Sequence, residues 1–179
     1  MDIEKELIVA EYASLKDEIF MRSRRRHLFA ILNISGAATI ITLDHSISGF
    51  SFILLIYPVF ILFLASGWTY NLKEIFKLSE YIRLHIEGPY RNKKGYETFL
   101  ASQSFEKLNN KLFIYDTLSS GGLFIGTQLI CIFIAYYSIY RFDLETKIVA
   151  IISCLSILLT IVIVFYGVRL KKRLWLAKD

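Results

Sequence analysis

Three histidines and two cysteines are the side chains here best suited to metal binding or nucleophilic chemistry, and their spacing supports neither. His27, His45 and His85 are scattered, each at the edge of an apolar run or in a polar stretch. Cys131 and Cys154 lie inside separate apolar runs with no metal-ligand spacing around them, so they read as small apolar fillers with free thiols. There is no CxxC pair, no HExxH helix motif and no glycine-rich phosphate loop. The expectation is a protein without a catalytic centre, metal or cofactor, and so not an enzyme.

The remaining chemistry lies in uncharged polar residues within apolar sequence. Asn33, Thr39, Gln128, Ser153, Ser156 and Thr160 are the main ones. Such groups can line a passive pore. They can equally join helices to one another by hydrogen bonds in an apolar medium. No apolar run has Asp, Glu, Lys, Arg or His at its centre, which argues against a proton relay or a path for charged substrates.

The elements that carry these residues follow from hydropathy. The chain has 179 residues, of which 55% are hydrophobic, and four runs hold no charge: 28–43, 46–72, 117–140 and 148–168. A helix needs about 20 apolar residues to cross a bilayer, within a range of roughly 17–25. Three runs meet that requirement outright, and the first is short. The expected fold is all-α: a single membrane domain over 1–179 with four transmembrane helices at about 28–43, 49–70, 118–140 and 148–168. Helical extensions at about 3–26 and 71–117 are expected on the cytoplasmic side. Arg22, Arg24, Arg25 and Arg26 precede the first run as in a signal peptide. About twenty residues lie ahead of them, however, so the run reads as a retained span.

Direction follows from the basic residues. Of 21 Lys and Arg, 19 fall before residue 28, between 71 and 116, or after 168, and only Arg141 and Lys147 fall in the two other connections. The positive-inside rule then places both termini and the central loop in the cytoplasm. The formal net charge of +5 reads as topology and attraction to anionic headgroups, in preference to nucleic-acid binding. Arg22, Arg24, Arg25 and Arg26, with Lys171, Lys172 and Arg173 at the other end, are the expected headgroup anchors.

Two apolar stripes are expected outside the bilayer. Ile8, Tyr12, Leu15 and Ile19 recur at spacings of four, three and four, which is one face of a helix. Leu72, Ile75, Phe76, Ser79, Ile82 and Ile86 form another, ended by Gly88-Pro89. Ile8, Tyr12, Leu15, Ile19, Ile75, Ile82 and Ile86 are therefore the candidate contacts with another copy or a partner. The two stripes could also cover each other within one chain. A second helix is expected from Tyr96, joined to the third span through a pliant Ser119-Ser120-Gly121-Gly122. Gly122 and Gly126 form a small-xxx-small pair.

Glu11-Tyr12-x-x-Leu15-x-x-Glu18-Ile19, Tyr57-Pro58, Trp68-x-x-Asn71 and Tyr81-Ile82-Arg83-x-x-Ile86-Glu87 resemble a family of small bacterial integral membrane proteins to which no activity is assigned. The resemblance covers the first half of the chain and implies a bacterial inner-membrane protein. The layout, without a shared motif, is also similar to that of membrane effectors of bacterial nucleotide-signalling defence systems. The expected function is a homo-oligomeric pore or membrane-perturbing effector gated through its cytoplasmic helices. The alternative is a non-enzymatic adaptor that docks a soluble cytoplasmic partner.

Reporter fusions test the topology directly. Fusions after Ser48 and Phe142 are expected to report the outside, and fusions after Lys94 and Asp179 the cytoplasm. A periplasmic signal at Lys94 would overturn the orientation.

Overall fold

The structure, a computed structural model, describes residues 2–46, 51–88, 95, 110–138 and 144–176. Among them every residue but Gly95 is helical, and there is no strand. Helix α1 covers Asp2–Ser46 and α2 covers Ser51–Tyr81, continued by a π-helical segment, Ile82–Glu87. Helix α3 covers Asn110–Ser138 and α4 covers Leu144–Leu176. Three helices hold stretches long and apolar enough to cross a membrane: Lys5–Asp44, Phe52–Glu87 and Thr146–Gly167. The apolar part of α3, Gly121–Tyr137, is shorter.

Helix α1 is unbroken because nothing in it can break a helix before Ser35-Gly36, and Gly36 is tolerated there. The short first run is thus part of a 45-residue rod, about 67 Å long at 1.5 Å per residue. Its N-terminal half is a polar arm.

Helix α2 is central and packs against α1, α3 and α4. It supplies most of the core: Leu54, Leu55, Tyr57, Ile61, Leu64, Ala65, Trp68 and Leu72 are all buried. Phe124, Cys131 and Ala135 of α3 and Ala37 of α1 complete that cluster.

Helices α1 and α2 form one antiparallel hairpin whose register holds along its length. Near one end, Tyr81 Oη donates to Glu11 Oε1 at 2.9 Å. Further along, the Arg26 guanidinium sits 4.7 Å from the Trp68 ring centroid. Next, Phe29 lies against Gly67, where an added Cβ would come within 2.8 Å of Phe29 Cζ. Then Tyr57 lies against Gly36, where an added Cβ would sit 2.5 Å from the phenol oxygen. Small residues at both positions let the helices approach closely, as in membrane helix pairs.

Two local expectations change. The joint at Ser119-Ser120-Gly121-Gly122 is absent: α3 runs straight through it. Gly121 is buried, and a Cβ there would collide with Val164 Cγ1 of α4, so this glycine serves close packing and not flexibility. Gly122 and Gly126 have nothing within 4 Å of an added Cβ, so among the described residues the small-xxx-small pair packs against no other helix. The end of α2 is π-helical, which widens the turn and leaves both Ile82 and Ile86 buried. Most of the helix expected from Tyr96 lies outside the described residues.

The Arg26–Trp68 contact is measurable by a double-mutant cycle. Trp68 is nearly buried, so the pair is desolvated and its coupling is expected at about 1–2 kcal/mol. Thermal unfolding of Arg26→Ala, Trp68→Leu and the double variant in mild detergent would give the coupling. Additive losses would show that the two side chains are only neighbours.

Candidate functional site

A seam of polar side chains runs through the centre of the bundle and passes the turn that holds Pro58. Proline has no N–H to give the Leu54 carbonyl, and its ring crowds that oxygen. The turn 54–58 therefore carries more backbone acceptors than backbone donors. In an apolar interior an unmatched backbone group costs free energy comparable to a lost hydrogen bond. Donors from the two neighbouring helices reach two other carbonyls of this turn, those of Pro58 and Leu55. Gln128 Nε2 of α3 donates to the Pro58 carbonyl at 2.9 Å. The Ser153 hydroxyl of α4 reaches both the Leu55 carbonyl and its own Val149 carbonyl, and its one proton serves either.

The seam extends from there. Gln128 Nε2 also donates to Thr160 Oγ1 at 2.9 Å, and Thr160 Oγ1 donates to the Ser156 carbonyl at 2.8 Å. Because the Pro58 carbonyl only accepts, the carboxamide orientation of Gln128 is fixed: a flip would set oxygen against oxygen. Gln128 Oε1 is buried and has no hydrogen-bond partner. On the other side of α2, Tyr57 Oη donates to the Asn33 carbonyl at 2.9 Å. Asn33 Oδ1 lies 3.0 Å from the Thr127 hydroxyl, and Asn33 Nδ2 reaches the Leu123 carbonyl at 3.4 Å.

Of the polar residues singled out in the sequence, Asn33, Gln128, Ser153, Ser156 and Thr160 are thus buried between helices of one chain. Thr39 is the exception. It is exposed on α1 with Ser35, Thr42 and Ser46. Each of these four hydroxyls donates to a carbonyl about one turn back on its own helix. Beside Ser35 and Thr39, α1 and α2 leave an open groove of about 490 Å³, lined by Leu32, Ser35, Gly36, Thr39, Ile40, Ile53, Ile56, Tyr57 and Phe60.

The candidate contact stripes fall into place along the same hairpin. Ile8, Tyr12, Leu15 and Ile19 are half-buried along the arm. Ile82 and Ile86 are buried and Ile75 is half-buried. A large part of both stripes is covered within one chain. The arm instead exposes residues that the sequence reading passed over: Ile3, Leu7, Val9, Phe20 and Met21. The helical period around Ile8–Ile19 showed one apolar face, and these residues extend the apolar surface round to the other side.

Among the basic residues, Arg24 and Arg25 are exposed, whereas Arg22 bonds to Glu18 at 2.6 Å and Arg26 stacks on Trp68. Lys171, Lys172 and Arg173 lie on the last turns of α4, and their side chains are outside the described residues. The Glu18 hydrogen bond holds the Arg22 guanidinium above its ordinary range. A Lys77 hydrogen bond, at 2.7 Å, holds Glu74 below its own. The Glu11 carboxylate raises the Tyr81 phenol, so that contact is present below the usual phenol range and lost only as pH rises through the raised value.

Cys131 is buried and Cys154 exposed, and both are free thiols. Among the described residues no group of three or more His, Cys, Asp or Glu converges. The residues that carry the family resemblance are mostly contacts of the hairpin. Glu11 meets Tyr81, Tyr57 meets Asn33, Trp68 meets Arg26, and Asn71 bonds back to the Gly67 carbonyl at 2.8 Å. They hold α1 against α2. No protein-family description, curated protein or solved structure matches the chain.

The seam makes two substitutions unequal. Asn33→Ala removes the partner of Thr127 and leaves a small cavity, at an expected cost of about 1–2 kcal/mol. Gln128→Leu removes two hydrogen bonds but also the unmatched Oε1, so its expected cost stays under about 1 kcal/mol. Detergent melting curves of both variants would rank them, and a Gln128→Leu loss exceeding that of Asn33→Ala would contradict this reading of the seam.

Proposed function

We propose that the chain is a bacterial inner-membrane adaptor. It crosses the bilayer four times, keeps both termini and the 71–117 loop in the cytoplasm, and carries no catalytic site. The observation that carries this reading is the use made of the polar residues. Five of the six that could line a path are consumed in contacts within one chain, so the bundle has no polar seam of its own to open. What it offers the cytoplasm is the arm of α1, fixed to the membrane part by the Arg26–Trp68 and Glu11–Tyr81 contacts. The basic imbalance supports the orientation, and the exposed Arg24 and Arg25 are suited to anionic headgroups.

The surface suited to a soluble partner is the side of the arm bearing Val9, Ala13 and Phe20. These are exposed and spaced by four and seven residues on one helical line. At the next position on that line stands His27, where the arm meets the basic cluster, so the patch is confined to the cytoplasm.

A second reading rests on the exposed hydroxyls of Ser35, Thr39, Thr42 and Ser46. Their protons are directed inward and their lone pairs outward, which suits the wall of a pore in a homo-oligomeric effector. Overexpression separates the two readings. An adaptor is expected to leave the membrane potential unchanged, and Phe20→Asp to abolish recovery of a soluble partner while membrane insertion persists. Depolarisation that vanishes in Thr39→Leu plus Thr42→Leu would select the pore.

A further inference from the structure

We draw no further inference here: the strongest candidate, the open apolar groove that α1 and α2 leave beside Ser35 and Thr39, has walls no more apolar than lipid tails, and nothing in the structure shows what covers it.

Discussion

A proline two turns into the central helix sets the height at which the neighbouring helices meet it. Pro58 is fully buried among apolar side chains, where water is not at hand to satisfy the oxygens of its turn. Helices α3 and α4 bring donors to two carbonyls of that turn, at Pro58 and Leu55. These contacts set Gln128 and Ser153 at one height on the bundle, and through them the register of α3 and α4 against α2. The hydrogen bonds are individually weak, about 0.6 kcal/mol each on average in membrane bundles. Their leverage lies in the alternative. A one-turn slip of α3 would separate Gln128 from the Pro58 carbonyl and place a carboxamide against apolar side chains, at a cost of roughly 2 kcal/mol or more. The seam thus contributes little to stability and a great deal to register.

The hairpin of α1 and α2 solves a different problem with different means. In the apolar half the helices are held by close approach at Gly36 and Gly67. In the polar half the same two helices use a carboxylate–phenol contact, a cation over an indole, and burial of Ile82 and Ile86. Each device suits its surroundings. Burying isoleucine yields free energy in water and little in lipid, while glycine packing works in both. The hairpin keeps one register while the stabilising interactions change from packing to burial and charge.

The sequence disclosed the apolar runs, the all-helical class and the face formed by Ile8, Tyr12, Leu15 and Ile19. It could not say what that face meets, because periodicity shows that a stripe is buried and not by whom. The direction of Gln128, Ser153 and Thr160 was also hidden. In a run that is apolar on all sides, helical period carries no signal about which side faces the bundle. Ser119 to Gly122 misled for a related reason. Two adjacent glycines weaken a helix in water, yet against Val164 the missing side chain is what the packing requires. The exposed residues Ile3, Leu7 and Phe20 were legible as letters but not as a surface, since their exposure depends on where α2 lies.

Placing five polar groups inside the bundle removes them from any direct role at its surface, and this shifts the functional weight onto α1. The arm is no loose tether. Helix α1 has no glycine or proline before Gly36, and a helix interior bends sharply only at an identifiable break. The contact of Arg26 with Trp68 comes just before Asn33, whose carbonyl receives the Tyr57 phenol one residue from Pro58. Anything that displaces the arm must therefore either break contacts worth about 1–2 kcal/mol at Trp68 or carry the motion into the proline turn. A binding event on the arm would typically release several times that free energy, since even a micromolar complex corresponds to about 8 kcal/mol. The arm is stiff enough to hold its shape unbound and weakly enough fastened for a bound partner to move it.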